Sequence, residues 1–198
     1  MKFKFFIYIF MGVFFLIIFF ILFLNEPVKK EDTKLGLNSE VDKFELITHN
    51  GEKFNSNFFS KNPSLVFFGF LNCPDVCPAT LNTISDLIVN LDSKNQKVNF
   101  YFVTVDPIRD NTKKMKEYLS HFNPKIIGIT GSEKNINNFL DYMYVYKKKV
   151  YYSAEEYTFD HSSQIFMFYK EGGFFGTVSL DESNRNIYKK IDKIINGA

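Results

Sequence analysis

Apolar residues form two alternating patterns along the chain from about residue 44 onward. Short, nearly continuous apolar runs, typical of strands buried in a sheet, occupy residues 64–70, 98–105 and 126–130. Apolar side chains that recur every three or four positions, as on one face of a helix, occupy residues 79–91, 112–121 and 133–144. This alternation of strands and helices predicts an α/β domain.

The two ends of this region add further elements. Residues 44–48 predict a first strand. Residues 164–169 and 174–179 predict a strand-turn-strand pair, and Ser183 is placed to cap a last helix that runs to residue 195. Because a strand-turn-strand pair is antiparallel, the predicted sheet is mixed, and helices flank it.

The first 24 residues have a different pattern. Residues 5–24 are apolar and uncharged over about twenty positions, enough for a helix to cross a hydrocarbon core of roughly 30 Å. Neither a small-residue cleavage site nor a Cys for lipid attachment follows, which favours an uncleaved anchor over a cleaved signal. We therefore expect a transmembrane anchor at 1–24, a polar linker at 25–40 and a folded domain at 41–198.

The short tail before the apolar segment favours a cytoplasmic N-terminus, with the domain on the other side of the membrane. No Arg- and Ser-rich leader of the kind used for organelle import is present. These features predict a single-pass protein of the bacterial inner membrane whose domain faces the periplasm.

Composition and charge exclude several classes of function. The 24 basic residues include two Lys in residues 1–24, so 22 remain against 22 acidic ones. A nearly neutral domain without a basic patch is not typical of a nucleic-acid binder. A hydrophobic content of 45% is not typical of a disordered chain, and two Cys are too few for a multi-disulfide scaffold.

Both cysteines lie between a predicted buried strand and a predicted helix, and each is followed by Pro. Pro78 suits the first helical position, which would place Cys77 at the N-cap, where the helix dipole favours a thiolate. Cys73 lies four residues earlier, so its sulfur can turn toward that of Cys77. Two such sulfurs suit Cu(I), Zn(II) or a reversible disulfide, and the plain alternative is a structural disulfide or two small buried side chains. Ligands tend to bind at the carboxyl ends of strands in open α/β sheets, which favours a functional site.

A metal site would need a further ligand, and the chain has three His. His49 precedes a turn, and His121 ends a predicted helix, where a histidine is ordinary. His161 precedes a predicted strand in a loop, and it is equally compatible with a ligand and with a solvated side chain. Asp106 and Asp110 follow a central strand, so their carboxylates either flank the cysteine loop or form a turn that caps the next helix.

Four motifs follow one another along the domain. They are Gly69-Phe70 with Cys73-Pro74-Asp75-Val76-Cys77-Pro78, then Val105-Asp106-Pro107-Ile108-Arg109-Asp110, then Gly128-Ile129-Thr130-Gly131, then Asp160-His161-Ser162-Ser163. In this order, across residues 42–195, the chain resembles the Sco/SenC family, membrane-anchored copper proteins of cytochrome c oxidase assembly. It departs from the family at Leu71-Asn72, where members often have a pair such as Thr-His, at positions that are not ligands.

The resemblance implies a thioredoxin-like fold and a copper site with Cys73, Cys77 and His161 as ligands. Asp106 and Asp110 match an acidic loop of the family, and we expect them in a second shell or on a partner surface. Two thiolates and an imidazole suit Cu(I), and Cu(II) can add an oxygen ligand. Structural zinc usually takes four protein ligands, and no further Cys is present.

The family resemblance leaves two functions open. A metallochaperone would deliver copper to the copper-accepting subunit of cytochrome c oxidase. Other copper chaperones and thioredoxin-like reductases are further candidate partners. The alternative is an enzyme, an extracytoplasmic thiol-disulfide oxidoreductase that cycles a Cys73–Cys77 disulfide. The C-x-x-x-C spacing departs from the C-x-x-C usual for such enzymes. They also place a cis-Pro before the strand that faces the active site, where this chain has Asp160-His161-Ser162-Ser163. Both features favour the metallochaperone.

Overall fold

The computed structural model describes residues 35–179 and 181–197, together with Met11, Phe14, Leu16 and Phe19. The chain divides into two units, Met1–Thr33 and Lys34–Ala198. The four described residues of the first unit are helical, and the rest of the predicted anchor and residues 25–34 of the linker lie outside the described residues. Among the residues described, no helix combines the length and the hydrophobicity needed to cross a membrane.

A six-stranded sheet forms the centre of the domain, in the order β1-β4-β3-β2-β7-β8, and β5 and β6 pair in a separate two-stranded sheet. Strands β2, β3 and β4 are parallel, and β1, β7 and β8 are antiparallel to their neighbours. In chain order the strands are β1 (Ile47–Thr48), β2 (Ser64–Gly69), β3 (Asn99–Thr104), β4 (Ile126–Thr130), β5 (Lys147–Tyr151), β6 (Tyr157–His161), β7 (Ile165–Phe168) and β8 (Phe174–Val178).

The helices of the domain come after β2, β3, β4 and β8. They are α1 (Val76–Ser93), α2 (Thr112–Leu119), α3 (Glu133–Tyr142) and α4 (Asn184–Asn196). Short 3-10 turns lie at Ser39–Phe44, Ser56–Phe59 and Lys170–Gly172. The predicted mixed α/β fold, a central sheet flanked by helices, is confirmed.

Burial of the central strands explains their apolar runs. Every residue of β2 is buried, and so is β3 after its first residue. A strand covered on both faces cannot alternate apolar and polar side chains, so it has a continuous apolar sequence. On α1 the buried side chains recur at helical spacing, which gives this helix one face against the core: Cys77, Thr80, Leu81, Ile84, Leu87, Ile88 and Leu91.

The start of the domain differs from the sequence-based expectation. Residues 44–48 do not form a five-residue strand, because a 3-10 helix occupies Ser39–Phe44 and only Ile47–Thr48 pairs with β4. The Asn38 side chain accepts the Glu40 N–H and starts that helix, and Glu45 ends it with a φ of 47°. The buried Leu37 donates its N–H to the Gly172 carbonyl at 2.7 Å, so folded structure begins inside the range expected to be a linker.

Sequence patterns missed the two-stranded sheet. The Lys-rich residues 147–149 and residues 157–161 were not predicted as strands, yet they belong to β5 and β6. Neither strand has an apolar run, because neither is buried on both faces. Cation–π contacts hold the lysines instead: Lys147 Nζ lies 4.8 Å from the centre of the Phe159 ring, and Lys149 Nζ lies 3.6 Å from that of Tyr157.

Candidate metal centre

Loops that carry the candidate residues meet at one edge of the central sheet. Gly69, the last residue of β2, is in register with Thr104, the last residue of the parallel β3. The Val105 N–H donates to the Gly69 carbonyl at 2.7 Å, which ties the starts of the two following loops together. Because parallel strands end at the same edge, the cysteine loop lies beside the loop that holds Asp106 and Asp110.

Helix α1 begins earlier than predicted. Asp75 is its N-cap and Val76 its first residue, so Cys77 lies inside the first turn and the expected N-cap position of Cys77 is wrong. The Asp75 carbonyl accepts the Ala79 N–H at 3.2 Å, which closes the first turn. Pro78 fits the third helical position as well as the first, because none of the first four N–H groups of a helix has an intrahelical acceptor.

The two thiols have different environments and opposite pKa shifts. Cys77 is fully buried and Cys73 half-buried, and both are free thiols. The Cys73 sulfur accepts the Cys77 N–H at 3.5 Å, and the hydrogen bond from the neighbouring Cys77 thiol is the largest cause that lowers the pKa of Cys73. The pKa of Cys77 is raised, mainly by the hydrogen bond of its thiol with the Cys73 sulfur and secondly by burial. The thiolate therefore forms first on the more accessible cysteine.

His161 presents one ring nitrogen to this pair. Its Nδ1 lies 2.8 Å from the Ser162 carbonyl oxygen, which can only accept, so Nδ1 carries the proton. Nε2 then has a free lone pair, and it lies 3.8 Å from Cys77 Sγ. The Phe70 ring packs edge-on against the imidazole at a centroid distance of 5.7 Å. A neutral imidazole oriented through its second nitrogen is typical of a metal ligand.

Gly69 leaves the space that the Cys77 sulfur occupies. A Cβ added at this position would lie 2.9 Å from Cys77 Sγ and 2.8 Å from Phe102 Cε2. Both distances are shorter than ordinary van der Waals contact, so any side chain at position 69 would displace the thiol or the buried ring. The Gly69-Phe70 motif thus has a packing role at the site.

The donor atoms fit a soft metal ion. Within the described residues, no group of three His, Cys, Asp or Glu side chains is already arranged around a common point. The 3.8 Å from Cys77 Sγ to His161 Nε2 nevertheless suits two ligands of one ion. With the bond lengths that zinc shows, about 2.3 Å to sulfur and about 2.1 Å to nitrogen, an angle of about 120° separates two such atoms by about 3.8 Å. Cys73, whose sulfur accepts the Cys77 N–H at 3.5 Å, could supply a second sulfur.

Asp110 lies under the cysteine loop. It is fully buried, and its Oδ2 accepts the Leu71 N–H at 3.1 Å and the Thr104 hydroxyl at 2.6 Å. Its Oδ1 has no hydrogen-bond partner in the described part of the chain. Burial raises the pKa of Asp110 from its ordinary 3.8 to about 6, although the bonds from Thr104 and Leu71 act in the opposite direction. Asp110 therefore supports the backbone of the loop that carries Cys73.

We expect Asp110→Asn to change how stability depends on pH. A carboxyl whose folded pKa is raised stabilises the fold fully below about pH 4, and this contribution is lost as pH rises through about 6. The shift corresponds to at most about 3 kcal/mol. Relative to wild type, the variant should therefore gain up to that much unfolding free energy between pH 4 and pH 7, measured by urea unfolding. Asp75→Asn, at an exposed carboxylate of the cysteine loop, is the control, and wild-type-like pH dependence of Asp110→Asn would contradict the expectation.

Asp106 makes a different set of contacts. It is 1% exposed, pairs through Oδ2 with Arg109 Nε, and accepts the Tyr157 hydroxyl at Oδ1 over 3.1 Å. Its backbone N–H donates to the Thr104 hydroxyl at 2.9 Å. Because the side chains of Asp106 and Asp110 are both buried, neither carboxylate is accessible to a partner, and both lie in the loop beside the cysteines.

The other two histidines lie away from the cysteines. His49, in the turn after β1, accepts the Gly128 N–H of β4 at Nδ1 over 2.9 Å. His121 is exposed at the end of α2, with Nδ1 3.2 Å from the Tyr118 carbonyl. Sequence reasoning also missed Tyr157 and Phe70 as contacts of the site. Phe70 is part of the first motif and Tyr157 lies close to the fourth, but an aromatic residue near a ligand is usually ordinary core, so neither was given a role.

A family model described as SCO1/SenC matches residues 32–196. Among curated relatives, an SCO2-like protein of Rickettsia conorii is 38% identical over 146 residues, 73% of this chain and 71% of that protein. An SCO2-like protein of Rickettsia typhi is 36% identical over 162 residues, 81% of this chain and 77% of the relative.

Solved structures show the same architecture. ScoI of Bradyrhizobium japonicum, described with copper bound, superimposes with a TM-score of 0.70 at 33% identity and covers 76% of this chain and 96% of its own. Yeast Sco1, also described with copper bound, has a TM-score of 0.69 at 30% identity and covers 75% of this chain and 83% of its own.

Proposed function

Because the chain belongs to the SCO1/SenC family, we propose that it is a copper metallochaperone that holds its cargo on Cys73, Cys77 and His161. The observation that carries the proposal is the 3.8 Å approach of His161 Nε2 to Cys77 Sγ, with the proton of that imidazole held on Nδ1 by Ser162. Solved relatives of this family described with copper bound support copper as the cargo.

The chemistry of the donors favours copper over harder ions. Two thiolates select a soft ion such as Cu(I), and an imidazole extends the set to Cu(II). The thiolate of Cys73 forms readily and is half-exposed, so it meets incoming copper first. Cys77 must lose its proton on loading, so copper binding is linked to proton release. Delivery then proceeds by exchange of these ligands for those of an acceptor that approaches the exposed side of the loop.

The family resemblance suggests the acceptor and the location. We propose that the domain supplies copper to the binuclear copper centre of cytochrome c oxidase, from the periplasmic face of a bacterial inner membrane. The uncharged run of residues 5–24 supports a single anchor. Labelling of Cys73 by a membrane-impermeant maleimide in intact spheroplasts tests this location, and labelling that requires lysis would contradict it.

A second candidate function rests on the asymmetry of the two thiols. An accessible cysteine of lowered pKa beside a buried one of raised pKa suits thiol-disulfide exchange. In this reaction Cys73 attacks a substrate disulfide, Cys77 resolves the mixed disulfide, and two electrons and two protons pass to the substrate. The chain would then be an oxidoreductase acting through a Cys73–Cys77 disulfide.

Copper binding by the full chain in detergent distinguishes the two functions. The protein is reduced without oxygen, dialysed against buffered Cu(I), and its copper content is measured per chain. We expect about one tightly held ion. A protein that retains no copper, yet exchanges its Cys73–Cys77 disulfide rapidly with a glutathione buffer, would instead be an oxidoreductase.

A further inference from the structure

His161 does not belong to the central sheet. It is the last residue of β6, which pairs with β5 in the separate two-stranded sheet. Cys77 belongs to α1, which the cysteine loop connects to the central strand β2. The distance between the two side chains therefore depends on how the β5–β6 hairpin is held against the rest of the domain.

Three side chains hold β6 to the loop after β3, and we call Asp106, Arg109 and Tyr157 the clasp. Arg109 pairs through Nε with Asp106 and donates from Nη1 to the Tyr157 carbonyl at 2.9 Å. The Tyr157 hydroxyl donates to Asp106 Oδ1 at 3.1 Å. Arg109 Cζ also lies 3.8 Å from the centre of the Tyr157 ring. Each residue of the clasp contacts both others.

The burial of Asp106 favours a single arrangement of the three clasp residues. Asp106 is 1% exposed, and both its oxygens are used, one by Arg109 and one by Tyr157. A buried carboxylate that loses one of its partners retains an unsatisfied oxygen, so displacement of β6 is unfavourable. The flat guanidinium contacts the Asp106 carboxylate, the Tyr157 carbonyl and the Tyr157 ring at the same time. The ammonium group of a lysine at this position would not make all three contacts.

A row of rings leads from the clasp to the candidate ligand. Tyr157, Phe159 and His161 alternate along β6 and so point to the same face of the hairpin. The Phe159 ring packs at 5.5 Å from Tyr157 and at 5.8 Å from Phe70, and Phe70 packs at 5.7 Å from His161. Because these rings are closely packed, a displacement of Tyr157 would also displace the imidazole of His161.

We propose that the clasp positions His161: Arg109 and Tyr157 are positioning residues that hold the imidazole at the distance from Cys77 that copper binding requires. This inference rests on the proposed function, since it assigns a purpose to the distance between two proposed ligands. It predicts a selective effect, because Cu(II) depends on the imidazole while Cu(I) is retained by the two sulfurs.

The first test is Tyr157→Phe, which removes one hydroxyl and keeps the ring. Loss of an outer contact of a metal ligand usually lowers affinity by about 10- to 100-fold. We expect Cu(II) affinity to fall by about tenfold for Tyr157→Phe, and further for Arg109→Lys, with Cu(I) affinity close to wild type. Tyr151→Phe is the matched control, because Tyr151 lies directly opposite Tyr157 in the hairpin and is 62% exposed. Affinities are measured on the full chain by competition with chelators.

A copper-free measurement separates this inference from the proposed function. In the apoprotein, the nuclear Overhauser contact between the His161 and Phe70 rings should weaken in Tyr157→Phe and persist in Tyr151→Phe. If Tyr157→Phe keeps both this contact and wild-type Cu(II) affinity, the clasp does not position His161. Equal losses in the two Tyr variants would also overturn the inference, since the effect would then belong to the hairpin in general. If the wild type binds no copper, the proposed function fails, and the ring contact alone decides the role of the clasp.

Discussion

Replacement of Cys73 by serine is expected to abolish tight Cu(I) binding. Thiolate sulfur is the soft donor that Cu(I) prefers, and a serine hydroxyl is a hard, neutral group at this pH. Loss of one of two sulfurs should weaken Cu(I) binding on the order of a thousandfold, which corresponds to about 4 kcal/mol. Affinity is measured without oxygen, by competition with a Cu(I) chelator on the full chain. Cys77→Ser should have an effect of similar size.

The two cysteine variants need different controls. Cys73 is half-buried in a loop, so its replacement should leave thermal unfolding of the copper-free protein nearly unchanged. Cys77 is fully buried against the backbone of Gly69, so Cys77→Ser is interpreted only alongside its own unfolding curve. Asn72→Ser, at an exposed neighbour in the same loop, is the matched control for Cys73→Ser. Wild-type Cu(I) affinity in folded Cys73→Ser would mean that the sulfur ligands lie elsewhere.

His161→Ala is expected to weaken the binding of Cu(II) much more than the binding of Cu(I). Cu(II) favours nitrogen donors and a larger ligand set, so loss of the imidazole should weaken its binding by about 100-fold or more. Cu(I) keeps both sulfurs and should lose less than about tenfold. The charge-transfer absorption of Cu(II) bound to thiolate should also change, because the nitrogen that completes the site is missing. Absorption spectra and chelator competition measure these effects on the same samples.

His121→Ala is the matched control for this variant. His121 is exposed just beyond the end of α2, where its Nδ1 lies 3.2 Å from the Tyr118 carbonyl, so its loss should leave both affinities unchanged. Equal losses of Cu(I) and Cu(II) affinity in His161→Ala would contradict the role assigned to His161, a ligand that Cu(II) needs more than Cu(I) does. Wild-type behaviour of that variant would remove His161 from the ligand set and leave the approach of its Nε2 to Cys77 as a packing contact.

Much of the fold could be predicted from the sequence because it depends on local patterns. The strand at 64–70 was expected from its apolar run, and burial on both faces of β2 explains that run. Helices α2 and α3 follow from periodicity: each begins at the predicted residue and ends two residues before the predicted end. The hairpin of β5 and β6 did not follow, because its stability comes from cross-strand pairing and from cations packed on rings.

The candidate site, like the fold, could be predicted from local sequence patterns only in part. Two cysteines four residues apart, each before a proline at the end of a buried strand, indicate a paired-sulfur site from sequence alone. His161 lies 84 positions from Cys77, and no local pattern predicts that its Nε2 comes within 3.8 Å of that sulfur. The start of α1 was misplaced, since either of two positions in a first helical turn accommodates Pro78.

What the sequence alone determined is therefore the order of strands and helices, the apolar N-terminal segment, the paired thiols and the family resemblance. These depend on neighbours along the chain, whose spacing is fixed by covalent geometry. The family resemblance also named His161 as a ligand. The tertiary structure decided how closely its Nε2 approaches the Cys77 sulfur, that Asp106 and Asp110 are buried beside the cysteine loop, and that Arg109 and Tyr157 join β6 to the loop after β3. Such contacts join residues far apart in sequence, and they depend on the packing of whole elements, which local patterns do not encode.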